Sequence, residues 1–445
     1  MNDPFVSVVI PTWRDVEAAV GAAASAADDG VEIISVAAWE DADDVERIRR
    51  SADRIRWLFA RRGRGHQMNA GAAVANGEWL LFLHADSRLP ARWMHEIRAA
   101  AAHGCCAAGT FRLGIAAAGW RPRVWEWLVR LRVALLTLPY GDQGIFVRRD
   151  LFEALGGYRD MPLMEDVDFV RRVREQTTVW KAAPTVSTSP RRWEREGWFR
   201  RSATNLTLVW RYRLGVDVRR LARAYMGHSE TAVAVLGRAP SAPGKTRLGV
   251  STPELRRALL LDTWDAVLEG SWDTALIFTP VEAAAECAAL ARSSTRPPVL
   301  MPQRGDDLGA RMSAAFASLF AAGYLRVILI GSDLPTLPAD RLHEAERALR
   351  GGADLVLGPS QDGGYYLVGL TRTNDAIFEG VRWGGSDVFI QTTLRAEAAG
   401  LRVKTVASWY DVDTEADLRR VADSAGSRGT RTRQLIQIDS DPAGR

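Results

Sequence analysis

The sequence predicts an α/β protein of two domains, each a mostly parallel sheet flanked by helices. Three observations lead there. The chain of 445 residues, 47% hydrophobic and 25% charged, is longer than one ordinary core serves and too apolar to remain unfolded. Short apolar runs alternate with alanine-rich stretches of helical length, the pattern of a parallel sheet with crossover helices. The pattern starts again once, after the polar stretch Gly227-His228-Ser229-Glu230.

The elements follow in order. Val6 to Ile10 (VSVVI) has the continuous apolar character of a strand buried on both faces, and Pro11 and Thr12 end it. A helix is expected over 15–27, a strand in VEIISV, a helix over 41–50, a strand in IRWLF, a helix over 67–75 and a strand in WLLFL. After the restart come TAVAVL, a loop, a helix from about Pro253, TALIF, another helix and RVILIG. Domains are therefore expected at 1–227, with a basic helical C-terminal part, and at 228–423. From 424 to 445 Ser, Gly, Arg and Asp occur without periodicity, which predicts a disordered tail.

Composition narrows the function. A net charge of +4 is mild for this length, and no dense basic stripe with interleaved aromatics occurs, so a nucleic-acid partner is not expected. Three cysteines, two of them adjacent at Cys105 and Cys106, match neither a disulfide framework nor a zinc-ligand spacing, and reduced thiols packed as small residues are expected. No apolar run approaches the length of a membrane span, and the first residues lack a basic-then-apolar layout. A cytoplasmic protein is expected. The stretches around Trp120, Trp125 and Trp127 and over 191–215 mix tryptophan with arginine. Peripheral contact with the inner face of the membrane, acceptor-site walls and domain packing all fit that mixture.

Two strand ends carry the chemistry. LLFLHADSRLPA (80–91) and RVILIGSDLPTLPA (326–339) share an apolar strand, small or polar residues, an aspartate and a proline. Ligands of open parallel sheets bind at the carboxyl ends of the strands, so Asp86 and Asp333 fall where a carboxylate meets a cleft and can hold Mg²⁺ or Mn²⁺. A helix N-cap is the alternative for Asp86. Glu165, Asp166 and Asp168 place three carboxylates in four residues, which fits a general base tuned by repulsion or an acidic first helical turn. Only three of the 58 basic residues are lysine, so Lys245 stands out in the loop GRAPSAPGKTRLG (237–249). That loop lacks P-loop spacing, yet Gly244, Lys245 and Arg247 can face phosphate.

Over about 4–190 the chain resembles the family 2 glycosyltransferases of the GT-A fold, through SVVIPTWRD, RGHQMNAGAAVANGEWLLFLHADSRLP and GDQGIFVRRDLFEALGGYRDMPLMEDVDFVRRV. The resemblance implies a Rossmann-like GT-A domain that moves a sugar, with inversion, from a nucleotide-sugar donor to a small-molecule or lipid-linked acceptor. It makes Asp86 the ligand of metal and diphosphate, in a HAD variant with His84 at the usual first acidic position. Asp166 becomes the base, with Glu165 and Asp168 supporting it or binding acceptor. Pro11, Thr12, Arg64, His66, Gln67 and Asn69 lie on the donor side, and Gly141, Asp142 and Gln143 on the acceptor side. The family's base-binding aspartate is replaced by Ala37, and Glu40, Asp41 or Asp43 can substitute.

Over about 231–418 the loop with Lys245, together with DDLGARM, LIGSDLPTLP, LGPSQDGGYYLVGL and WYDVDTEADL, resembles a bacterial GT-A-like transferase family related to nucleotidyltransferases and associated with arsenosugar and selenium gene clusters. This implies Asp333 as metal ligand, Asp411 or Asp413 as a second, and Asp362, Gly363 and Gly364 lining the cleft. A helix cap is the other reading of DVDT. Two functions remain: a bifunctional enzyme, or a single glycosyltransferase whose C-terminal domain only binds nucleotide or another protein.

Overall fold

Strand β1 (Val6–Thr12) is buried at every position, as its unbroken apolar run requires. Its neighbours are β2 (Val31–Ala38), β3 (Ile55–Ala60) and β4 (Trp79–Phe82), all parallel to it or to each other. The structure is a computed structural model that describes residues 3–49, 54–136, 141–218, 221, 222, 225, 227, 229–243, 252–424 and 426–440. The chain divides into two units, Met1–Ala222 and Arg223–Arg445.

In the first unit β5 (Ser87–Arg88), β6 (Ala108–Ile115), β7 (Ile145–Arg148) and β8 (Val179–Thr188) complete a sheet of order β3-β2-β1-β4-β7-β6-β8-β5. The helices are α1 (Val16–Ala26), α2 (Ala42–Ile48), α3 (Arg64–Val74), α4 (Trp93–His103), α5 (Trp120–Leu136), α6 (Arg149–Ala154), α7 (Glu165–Gln176), α8 (Arg191–Glu196) and α9 (Trp198–Arg213). Strand side chains alternate between faces, and both faces are covered. Val6, Val8 and Ile10 pack with Ala19, Ala22 and Ala26 of α1 and with Trp93 and Ile97 of α4. Val9, Ile34 and Val36 pack with Met68 and Ala72 of α3 and with Phe169 and Val170 of α7. Asp15 caps α1 by accepting from Ala18 N–H at 3.1 Å.

The second unit has β9 (Thr231–Arg238), β10 (Asp273–Thr279), β11 (Val299–Pro302), β12 (Arg326–Gly331), β13 (Leu355–Pro359), β14 (Tyr365–Leu370) and β15 (Val403–Thr405), in the order β11-β10-β9-β12-β14-β13-β15. Its helices are α10 (Pro253–Leu268), α11 (Ala284–Arg292), α12 (Leu308–Ala321), α13 (Ala339–Arg350), α14 (Val388–Ala398), α15 (Glu415–Asp423) and α16 (Thr430–Ser440). With the two-residue β5 set aside, both sheets run third, second, first, fourth, sixth, fifth, seventh strand. In both, the first four strands in sequence are parallel and the sixth is antiparallel to its two neighbours. The predicted pair of mostly parallel α/β sheets is what the chain forms.

The expectation of a disordered tail does not hold for residues 430–440. Residues 430–440 are α16, held on α10 by the buried carboxylate of Asp262, which accepts from Thr432 N–H and Oγ–H at 2.8 Å each. Polar contacts hold this helix, Arg431 adding ion pairs to Asp262 and Asp265, so hydrophobic periodicity carried no sign of it. Among the described residues no helix is long and apolar enough to cross a membrane.

Candidate active site

The first unit gathers its polar residues at the carboxyl ends of β1, β2 and β4 and at the first turns of α3 and α7. Asp86 follows β4 and is half-buried. The helix-cap reading does not hold for it, because α4 starts only at Trp93 with Arg92 at its N-cap. Its carboxylate makes no hydrogen bond or ion pair with any described residue, while its backbone carbonyl accepts from Ser189 N–H at 3.1 Å.

Asp166 lies in the first turn of α7. One of its oxygens accepts from Gly141 N–H and the other from Val167 N–H, both at 2.8 Å. Gly141 has no room for a side chain: a Cβ there would sit 2.8 Å from His84 Nε2 and 3.4 Å from Asp166 Oδ2. The HAD segment, the GDQ turn and the ED segment therefore meet at one glycine. Beside them Glu165, 2% exposed, pairs with Arg64 Nε at 2.7 Å. Burial pushes the Glu165 carboxyl up, Arg64 draws it back down, and Asp166 adds a smaller upward push.

In the second unit the carboxylates of Asp362, Asp411 and Asp413 each offer an oxygen within 4.8 Å of the others. Asp411 is pushed up to about 6 by burial first, then by repulsion from Asp333, Asp413 and Asp362, against a lowering hydrogen bond from Ser360 Oγ at 2.9 Å. Asp333, immediately beyond β12, is thus part of the same field. Gly363 holds the turn that carries Asp362: its φ is +89° and a Cβ would lie 1.9 Å from Ser386 O. Three clustered carboxylates under mutual repulsion, with Asp333 adding to the field, fit a divalent cation of the Mg²⁺ or Mn²⁺ type. The capping reading of DVDT also holds, but through Thr414, which shares a capping box with Asp417 and leaves Asp411 and Asp413 to the cluster.

The glycosyl transferase family 2 model matches residues 7–155, and the model of an uncharacterized protein family conserved in bacteria, DUF2064, matches residues 263–385. A structure from Desulfovibrio desulfuricans G20, assigned as a nucleotide-diphospho-sugar transferase, is 30% identical, covers 48% of this chain and 96% of its own, and has a TM-score of 0.42. The chain carries a glycosyl transferase family 2 domain followed by a DUF2064 domain. Its first domain is thus a glycosyltransferase domain of family 2. S. aureus TarS residues 1–349 in complex with UDP-GlcNAc is 15% identical over 41% of this chain, with a TM-score of 0.33, and the chain spans only 58% of that structure. A CMP:2-keto-3-deoxy-manno-octonic acid synthetase complexed with CTP is 12% identical, covers 47% of this chain and all of its own, and has a TM-score of 0.32. No curated protein matches the chain.

Several residues of this transferase are placed otherwise than expected. Asp168 is fully buried, with Arg172 Nε at 2.8 Å, Arg159 at 3.1 Å and Arg171 at 3.4 Å, so it anchors α7 and does not support the base. Gln67 spends its amide on the carbonyls of Thr12 and Val36, both at 2.8 Å, and ties the ends of β1 and β2. Asn69 exchanges two hydrogen bonds with the backbone of Tyr158. Asp41 is buried and accepts from Arg14 N–H with both oxygens, which fixes the turn after β1. These three carry structure where donor contacts were expected. Gln143 likewise donates to Phe111 O at 3.1 Å and is buried. Pro11 and Thr12 are buried in β1, with Thr12 Oγ1 2.9 Å from Ser35 Oγ. Asp142 is half-buried beside Gly141. Gly244, Lys245 and Arg247 lie outside the described residues.

Trp13 escaped notice in the sequence. It directly follows β1, is 36% exposed, and carries the guanidinium of Arg62 3.9 Å and that of Arg14 4.7 Å from its ring centroid. An exposed aromatic immediately after PT was the available signal.

Proposed function

We propose that the family 2 domain transfers the sugar with inversion of configuration, with Asp166 as general base and Asp86 as the ligand of a divalent cation and, through it, of the donor diphosphate. The meeting of His84 and Asp166 at Gly141, together with an Asp86 carboxylate that has no hydrogen-bond or ion-pair partner among the described residues, supports this reading. When bound, the cation neutralises charge on the departing nucleoside diphosphate. Asp166 uses two of its roughly four acceptor sites on backbone N–H groups, which fix its orientation and leave capacity for an acceptor hydroxyl. It takes that proton as the acceptor oxygen forms its bond to the anomeric carbon. The bond from that carbon to the diphosphate oxygen breaks on the opposite side, and its electron pair leaves with the diphosphate. Arg64, paired with Glu165, offers positive charge on the donor side, and the Trp13 face with its guanidinium partners fits a nucleoside base.

The acceptor is a small molecule or a lipid-linked one. For the latter, α5 exposes Trp120, Val124, Trp127 and Leu128 at helical spacing with Arg121, Arg123 and Arg130 beside them, an arrangement that fits a membrane surface. In the DUF2064 domain, Asp333, Asp362, Asp411 and Asp413 would hold Mg²⁺ or Mn²⁺ for a second nucleotide-dependent transfer, with the Gly244, Lys245 and Arg247 loop on phosphate.

Kinetics of Asp166→Asn test the first reading. The variant should keep the donor dissociation constant of the wild type while kcat falls by about 10²–10⁴, the usual worth of a general base. An unchanged kcat would remove Asp166 from the chemistry.

A further inference from the structure

We propose that His103, Cys105 and Cys106 form a binding site for a thiophilic divalent ion of the Zn²⁺ class, at the turn between α4 and β6. The imidazole and the two thiols offer one ligand atom each, all within 4.8 Å of one another. His103 Nδ1 lies 3.1 Å from Cys105 Sγ, and the two sulfurs are 3.6 Å apart, well beyond a disulfide bond of about 2.05 Å. Zinc bonds of about 2.3 Å to sulfur and 2.0 Å to nitrogen separate tetrahedral ligands by roughly 3.5–4 Å. The two sulfurs already stand near that separation, and His103 Nδ1 and Cys105 Sγ need to part by only a few tenths of an ångström to reach it. Two thiolates and an imidazole select soft or borderline metals over Mg²⁺ or Mn²⁺.

The local backbone makes the cluster. Gly104 ends α4 in the left-handed conformation, φ 71°, and Cys105 N–H donates back to His103 O at 2.9 Å, so the chain doubles back. Thr177 fixes the turn from outside, donating to Cys105 O and accepting from Ala107 N–H, both at 3.2 Å. Trp180 packs against the His103 ring at 5.6 Å and is itself held by Glu96 through its indole N–H. Such outer contacts orient metal ligands. β6 runs parallel to β1, because each is related to β7 or β4 by the pairings described, so a turn before β6 lies at the amino end of the sheet, opposite the sugar-transfer site. The sequence did not reveal the site because adjacent cysteines after His-Gly match no familiar zinc spacing.

Cobalt titration of the full chain, reduced with a phosphine and stripped of metal, tests the proposal. Co²⁺ should give a thiolate-to-cobalt charge-transfer band and the strong d–d bands of a tetrahedral ion, saturating at one equivalent and displaced by Zn²⁺. The carboxylate cluster of the second unit has no sulfur and contributes no such band. Cys105→Ser and Cys106→Ser should each diminish the band and weaken binding by more than about tenfold, and His103→Ala should weaken binding while keeping the band. Cys287→Ser, a buried thiol in α11, should behave as wild type. Absence of the band in the wild type, or its persistence at full strength in both Cys105→Ser and Cys106→Ser, overturns the proposal.

Discussion

Glu165, Asp166 and Asp168 share one helical turn and meet three different surroundings. Residues two apart on a helix point about 200° from each other, so Asp166 and Asp168 cannot serve the same cleft. Asp166 reaches the Gly141 amide, whereas Asp168 turns into the body of the unit against Arg172, which is itself 8% exposed. The ion pairs of Asp168 with Arg159 and Arg171 involve exposed arginines and add little. Asp168→Asn leaves Arg172 buried and poorly compensated, a loss of about 3–5 kcal/mol. The melting temperature of the first unit should fall by about 8–15 °C, read by calorimetry. Asp411 gives a pH prediction. Its folded pKa of about 6 lies above the ordinary 3.8, so the folded unit holds its proton more tightly than the unfolded chain does. Without metal, stability contributed by this group is full below about pH 4, declines up to about pH 6 and is absent above it. Asp411→Asn should therefore raise the melting temperature at pH 7.5 and change it little at pH 4. Stabilisation by Mn²⁺ should grow as the pH rises through 6.

At the scale of elements, both units use one device to close the mouth of the sheet. Gln67 bridges carbonyls near the carboxyl ends of β1 and β2, and Gln303 does the same for β9 and β10, donating to Gly237 O at 3.0 Å and Ile277 O at 3.1 Å. Gln67→Leu keeps the volume and leaves two carbonyls without a donor, at a cost of about 2–4 kcal/mol. Chemical denaturation should show the lower midpoint, with a smaller effect for Gln303→Leu because Gln303 is only half-buried. The parallel strands were legible in the sequence because burial on both faces demands unbroken Val, Ile and Leu. α16 was not, since the contacts that hold it are polar and distant in sequence, Asp262 lying 170 positions from Thr432. The same limit applied to the site. Asp86 and Asp333 stood out as polar residues ending apolar strands, but the approach of His84 to Asp166 across Gly141 leaves no local pattern to read.

At the scale of the whole molecule, one strand order occurs twice and brings a carboxylate to the end of the fourth strand each time, Asp86 after β4 and Asp333 after β12. The surroundings then diverge. Asp333 repels Asp411 of a three-aspartate cluster, whereas no group of three ligating side chains forms around Asp86 among the described residues. A lone carboxylate leaves more of a cation's coordination to the donor diphosphate, as a transfer site that binds metal and donor together requires. The measurement that bears most directly on this account is steady-state sugar transfer from a nucleotide-sugar donor by the full chain carrying Asp86→Asn, beside the chain carrying Asp333→Asn. The account predicts that Asp86→Asn lowers kcat/KM by about a hundredfold or more while Asp333→Asn transfers sugar as the wild type does. Wild-type transfer by Asp86→Asn would contradict it.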